Sequence, residues 1–219
     1  DIPVHNGVLM QDDVILPKST ILLLKRIEDI ILGFLGVAVF LLFYPILALI
    51  IRLDSQGPII YRQVRIGINR RWKRILKSNF DHTANQSTKE RAQDIGGKPF
   101  TIYKFRTMRI DAEEKGPQLS STGKDARTTR IGKWLRLMHW DELPQSWNVL
   151  KGEMSFIGPR PERPYFTEQY IQQIPYYSAR TYYIKPGLTG LAQIKLGYDD
   201  TLESVVRKCH FDLAYAASF

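Results

Sequence analysis

A single cysteine, Cys209, stands among the 219 residues. The chain can therefore close no disulfide on itself, and nothing in it calls for an oxidising compartment. Its place in a helical pattern near the C-terminus suits a buried, inert thiol. Acid is short as well: 22 Asp and Glu face 31 Lys and Arg, for a net charge of +9. That balance suits an anionic partner, whether nucleic acid, anionic lipid headgroups or a phosphorylated substrate. Internal repeats and low-complexity tracts are missing, so the length is read as one sizeable domain plus an appendage. The chain opens on Asp1 instead of Met and stops at FDLAYAASF without a capping signal, a pattern expected of a fragment.

Charge is missing altogether from Ile30 to Ile51. Such a run is long enough to cross a hydrocarbon core, which needs ~20 apolar residues. A signal peptide fits poorly, because its apolar part is usually ~7–15 residues and no small-residue cleavage site follows here. Pro45 inside the run removes a backbone donor and predicts a kink. Lys25 and Arg26 precede the run, and Arg52, Arg62 and Arg65 follow it. With cations at both ends, the positive-inside rule gives a straight span no orientation but tolerates both ends on the cytoplasmic side. Glu28 and Asp29 suit an interfacial start. On these residues alone, a span and a hairpin that re-enters the same face are evenly matched.

Asp54-Ser55-Gln56-Gly57-Pro58 ends that helix with turn chemistry. Residues 59–65 (IIYRQVR) and 99–108 (PFTIYKFRTM) read as strands, the second with Lys104 and Arg106 on one face. Between them, 69–98 is polar and aperiodic, a solvated loop or a cationic surface for anionic lipid. Ile131, Trp134, Leu135 and Met138 recur at helical spacing. Pro144 starts a helix running through Trp147 and Leu150 toward Gly152. Residues 165–184 are helical in their first half. Pro186 to Gly190 makes a tight loop, and Thr201 caps a last helix.

The segment DELPQSWNVLKGEMSFIGPRPERP, residues 141–164, carries the chemistry. Taken alone, Asp141-Glu142 before Leu-Pro reads as the start of a helix, where the dipole favours acids. Cations change that reading. Arg136 upstream and Arg160, bracketed by Pro159 and Pro161, are fork-shaped donors matched to phosphate oxygens. The prolines restrict Arg160 and lower the entropy lost on binding. Lys104, Arg106, Arg127 and Arg130 add further charge, and together they describe a polyanion site on a membrane-tethered chain. A carboxylate there can attack phosphorus, hold a divalent metal or act as a general base. His139 and Trp140 read as packed residues, and the tyrosines at 176, 177, 182 and 183 as interfacial anchors.

These residues resemble the bacterial sugar transferases, the monotopic polyprenyl-phosphate phosphoglycosyl transferases. The resemblance runs from Lys25 to about Ala214. It rests on Lys25-Arg26-Ile27-Glu28-Asp29 ahead of the apolar helix and on Gln56-Gly57-Pro58 through Tyr61, Gln63, Arg65 and Gly67. It continues in Gly97-Lys98-Pro99-Phe100, in Tyr103 to Met108, in DELPQ, WNVLKGEMS and GPRPERP, and in Lys185-Pro186-Gly187-Leu188-Thr189-Gly190-Leu191-Ala192-Gln193. It departs from the family in a longer 70–96 stretch, in Leu191 where tryptophan is common, and in His139-Trp140.

The resemblance implies an α+β fold, mainly helical with a small β-hairpin or sheet, and an N-terminal re-entrant membrane helix broken near Pro45. The implied organisation is a lead over 1–20, the membrane helix over 21–52, and a catalytic domain over 53–219 on the cytoplasmic face of a bacterial inner membrane, with 69–98 inserted. The implied reaction moves a phosphosugar from a UDP-sugar to a polyprenyl phosphate such as undecaprenyl phosphate. UMP leaves, Mg²⁺ is required, and polysaccharide or glycan assembly begins. Its partners are these substrates and the membrane, with no role for nucleic acid, and an oligomer is compatible. Asp141 is implied as the nucleophile that becomes phosphosugar-bound. Glu142 is its metal ligand or base, a choice the sequence does not make. Lys104, Arg106, Arg127, Arg136, Gln145 and Arg160 are the expected phosphate and substrate contacts, with Asp141 and Glu142 the expected metal ligands.

Overall fold

The structure is a computed structural model that describes residues 19–69, 96–114, 116, 125–174, 176–182, 184–196 and 201–218. The polar stretch over 70–95 and the lead over 1–18 lie outside the described residues.

One long helix, α1 (Ser19–Asp54, 36 residues), organises everything else, and Pro45 lies inside it. At 1.5 Å per residue it would reach about 54 Å if straight. Its contacts with the rest of the chain fall every three or four residues. Arg26 donates to Val149 O and Leu150 O at 2.7 Å. Asp29, 2% exposed, accepts from Ser155 Oγ at 2.8 Å and Phe156 N at 2.9 Å. The carboxylate expected at a membrane interface is therefore buried against protein. Leu47 and Ile51 form a core with Phe105 and Leu135, flanked by Phe40, Phe43 and Tyr44. Asp54 closes the series by accepting from Ile131 N. The opposite face leaves Leu23, Ile31, Phe34, Leu35, Leu41, Leu42, Ile46 and Leu49 exposed. Such a contiguous apolar face marks an interaction surface.

Two small sheets hold the site. β1 (Ile60–Ile66) and β2 (Pro99–Phe105) pair antiparallel, Tyr61 opposite Lys104 and Gln63 opposite Ile102. Opposite residues share a face, so Gln63, Arg65, Ile102 and Lys104 all look the same way. The second strand ends at Phe105, short of the expected 108, and this redirects Arg106. β3 (Ser155–Ile157) and β4 (Gly187–Thr189) pair in parallel. The expected tight loop over 186–190 is thus partly a strand. Gly158, Gly187 and Gly190 permit it: a Cβ on Gly190 would collide with Gly158 O, and one on Gly187 with Gly158 N.

The helices are α2 (Arg130–Leu137), α3 (Ser146–Lys151), α4 (Pro164–Gln173), α5 (Leu191–Lys195) and α6 (Leu202–Ala217). Thr129 caps α2 and Thr201 caps α6 through a capping box with Ser204, each satisfying a first-turn amide. Gly152 ends α3 at φ 78°, the left-handed turn that favours glycine. A satellite core of Ile174, Tyr177, Val205 and Cys209 seats α6. Burial pushes the Cys209 thiol up to about 12, consistent with an inert role. Tyr177 is 3% exposed in that core, so it is not the interfacial anchor expected from sequence.

Candidate active site

The acidic pair sits on the corner between α2 and α3. Leu135, fully buried, fixes α2 against α1 and Phe105. The chain then turns at His139, whose φ of 56° is unusual for a residue with a Cβ. His139 is exposed there, not packed as expected, while Trp140 lies edge-on to Phe43 at 4.9 Å. A 3-10 turn over Trp140–Gln145 presents Asp141 and Glu142 to β2. Behind it, Asn148 is completely buried and ties α3 to the sheet. Its Nδ2 donates to Thr101 O and to Glu153 Oε2, both at 2.7 Å.

The two acids have different surroundings. Asp141 is 7% exposed, and among the described residues no hydrogen bond occupies its carboxylate. Burial raises its pKa above the usual carboxylate value. Lys104, Arg136 and Arg160 pull the other way, and Glu142 adds to the rise. Glu142 is tied down: Lys104 Nζ reaches its Oε1 at 2.6 Å and Arg160 Nη2 the same oxygen at 3.2 Å. Burial alone would raise Glu142, but the two cations hold it at about 2. Its Oε2 accepts no hydrogen bond among the described residues.

A small cleft opens beside this pair, lined by Arg65, Ile102, Lys104, Glu142, Gln145, Arg160, Pro161 and Gly187. Arg65, Lys104 and Arg160 outnumber the one carboxylate lining the cleft, Glu142, although Glu162 behind it also pairs with Arg65 at 3.8 Å. Burial lowers Lys104, and lowers Arg65 to about 10, the cost of crowding cations away from water. Burial would lower Arg160 too, but Glu142 and Glu162 raise it. Gln145 is 3% exposed, and its Nε2 has no partner among the described residues, a donor left for a ligand.

The structure thus brings Asp141, Glu142, Lys104, Arg160 and Gln145 together, with Arg136 close by. Arg136 donates from Nε to Thr107 Oγ1 at 2.9 Å and still acts on Asp141. Arg106 and Arg127 line no part of the cleft. Beyond the end of β2, Arg106 turns to α1 and donates to Ser55 O at 2.5 Å and Ile51 O at 3.3 Å. Arg127 grips Asp125 at 2.8 and 2.6 Å and holds that acid at about 2. Arg65 was not among the sequence candidates. The signal for it was the Gln63-x-Arg65 alternation, which points to the Lys104 face once the register is known.

The bacterial sugar transferase family model matches residues 20–94 and 78–219. This chain belongs to the bacterial sugar transferase family. The chain is 34% identical over 205 residues to a UDP-N-acetylgalactosamine-undecaprenyl-phosphate N-acetylgalactosaminephosphotransferase of Aeromonas hydrophila, covering 94% of this chain and 42% of that protein. It is 39% identical over 198 residues to a UDP-glucose:undecaprenyl-phosphate glucose-1-phosphate transferase of Escherichia coli, covering 88% and 36%. A protein of the same description from Caulobacter vibrioides is 36% identical over 203 residues, covering 91% and 65%. The chain therefore spans only about two-fifths of the first two relatives' length.

Proposed function

We propose that this sugar transferase chain moves a phosphosugar from a UDP-sugar to a polyprenyl phosphate such as undecaprenyl phosphate, through a covalent intermediate on Asp141. The observation that carries this reading is the split environment of the two adjacent acids. Glu142 is neutralised by Lys104 and Arg160, whereas the Asp141 carboxylate is left without a hydrogen bond beside three cations. Separated environments of this kind assign separate roles. An Asp141 oxygen attacks the β-phosphorus, the bond from that phosphorus to the bridging oxygen breaks, and UMP departs with the electron pair. An oxygen of the lipid phosphate then attacks the same phosphorus. The bond to Asp141 breaks, and its carboxylate is restored. Arg160, Lys104 and Arg136 hold and neutralise the phosphate oxygens, the work that dominates phosphoryl transfer.

The donor set fits Mg²⁺, although among the described residues no three His, Cys, Asp or Glu gather into a metal site. Magnesium commonly takes one or two carboxylates plus substrate phosphates. The unengaged Glu142 Oε2 and the Asp141 carboxylate are the groups that would hold it. When bound, the ion would supply charge neutralisation on the diphosphate.

Membrane seating follows from α1. Protein contacts recur along it from Arg26 to Asp54, so no ~20-residue stretch is left free to be surrounded by lipid. We place its exposed face against the cytoplasmic leaflet of the inner membrane with both ends on that side, a seating that calls for a bend at Pro45, which lies inside one continuous helix. The chain there starts glycan assembly on the lipid.

The deciding test is Asp141→Asn. We expect loss of UMP release and loss of covalent capture of radiolabelled phosphosugar. Undiminished labelling would sink the nucleophile. Wild-type turnover without exchange between UMP and UDP-sugar, in the absence of lipid acceptor, would favour a single displacement at the same site.

A further inference from the structure

We infer that α6 is a positioning element for Arg160, acting through Lys208 and Asp212. This rests on the reading above of Arg160 as a phosphate clamp. The loop from Pro159 to Arg163 has little regular structure of its own, and its backbone is held from outside. Arg180 donates to Arg160 O at 3.1 Å and Arg65 donates to Pro161 O at 3.0 Å. Both guanidiniums are in turn fixed by acids: Arg180 by Asp212 at 2.6 Å, Arg65 more loosely by Glu162 at 3.8 Å. Glu162, inside the loop, is gripped by Lys208 at 2.9 Å.

Lys208 and Asp212 are four residues apart on α6, hence on one face of it. Both are buried, at 8% and 2% exposure, and Arg180 is at 3%. Cys209 and Val205 seat that face in the satellite core. One helix therefore reaches the loop twice: directly at Glu162, and through Arg180 at the Arg160 carbonyl. The far end of the loop is pinned by Arg163 on Glu113 at 2.8 and 3.0 Å. With its backbone fixed on both sides, Arg160 extends its side chain to Glu142 and, on the reading above, presents its guanidinium to the reacting phosphate. Bidentate and clamping groups act by being in place before the substrate arrives, and small displacements of them are costly.

Lys208→Met tests this, keeping the stem and removing the charge. The rate constant for covalent phosphosugar formation, measured per labelled enzyme in a single turnover, is expected to fall about 10- to 100-fold. The amount of enzyme that labels should hold, and Lys208→Arg should restore most of the rate. In an Arg160→Ala background the same substitution should change the rate little, because the loss is transmitted through Arg160. A purely structural role predicts the reverse, fewer labelled molecules reacting at the wild-type rate, and would overturn the inference. Independently of activity, hydrogen exchange at the Ile66 and Gly187 amides, which donate to Glu162 O and Pro159 O, should speed up in Lys208→Met while the other β1 and β2 ladder amides keep their protection. Unchanged exchange at both amides would also overturn it. A wild-type chain that labels with no UDP-sugar refutes the proposed function, and the exchange measurement still decides the role of α6.

Discussion

Two arginine-rich segments of this chain look alike on paper and behave differently in the fold. The first runs from Arg106 to Arg136 and the second from Arg160 to Arg163. In the first, Arg106 and Arg127 are consumed by the scaffold, on carbonyls at the end of α1 and on Asp125, while Arg136 is divided between Thr107 and Asp141. In the second, a proline-bracketed arginine keeps part of its guanidinium in the cleft and shares Glu142 with Lys104. The difference is one of backbone support. Arg106 follows a strand that has just ended beside a helix terminus rich in unsatisfied carbonyls, which capture it. Arg160 sits in a loop whose own carbonyls are held by the buried Arg180 and the partly buried Arg65, so its side chain is spared for other work.

The largest effect that would break this comparison belongs to Arg160. Arg160→Ala should lower kcat/KM about 10²- to 10³-fold, the usual range for removing one preorganised donor to a developing charge. The loss should fall mainly on kcat, since the clamp acts most strongly in the transition state. A change confined to KM would move Arg160 into simple substrate capture and erase the contrast with the first segment.

An acid titration gives a smaller effect. Glu142 and Glu162 are both held at about 2, below their ordinary value of 4.5, by Lys104 and Arg160 in one case and Lys208, Arg180 and Arg65 in the other. Their folded values are depressed, so their contribution is fully present above about pH 4.5 and is lost as pH falls toward 2. Together they account for on the order of a few kcal/mol. The urea midpoint should be flat near neutrality and drop across that window. Glu142→Gln combined with Glu162→Gln should flatten the drop, and an unaltered acid limb in the double variant would contradict the assignment.

Much of this was legible in the sequence, for reasons that differ by residue. Thr201 and Gly152 announce helix ends because capping is local chemistry, readable within a few positions, though the cap at Thr129 went unread. The long apolar helix and the β1–β2 pair were legible from pattern, whereas the short β3 and β4 were not; the cations that gather round Asp141-Glu142 were legible as charge near the pair. Asp29 and Arg106 were misjudged because their partners lie far along the chain. Asp29 meets Ser155, and Arg106 meets Ile51 after β2 stops one residue before it. Arg65 was missed for a related reason, since strand alternation states which residues share a face but not which cleft that face lines. The left-handed His139 had no signal in composition, because αL is rare for a histidine and is imposed here by the turn that presents the dyad.

The smallest expected effect is the one that sharpens the contrast most. If Arg106 belongs to the scaffold, Arg106→Leu should cost stability without touching the chemistry. The substitution leaves Ser55 O without its donor just past the C-terminus of α1, while Ile51 O keeps the Ser55 amide, and such a loss runs about 1–3 kcal/mol. Part of that cost is offset, because the guanidinium Nε and Nη1 are buried without partners among the described residues and leucine removes both. A modest fall in melting temperature is therefore expected in detergent, with the rate of phosphosugar capture per labelled molecule unchanged. A fall in that rate beside an unchanged melting temperature would return Arg106 to the substrate contacts. It would also mean that the two arginine segments converge on one phosphate, and that the carbonyls of α1 compete with the substrate for it.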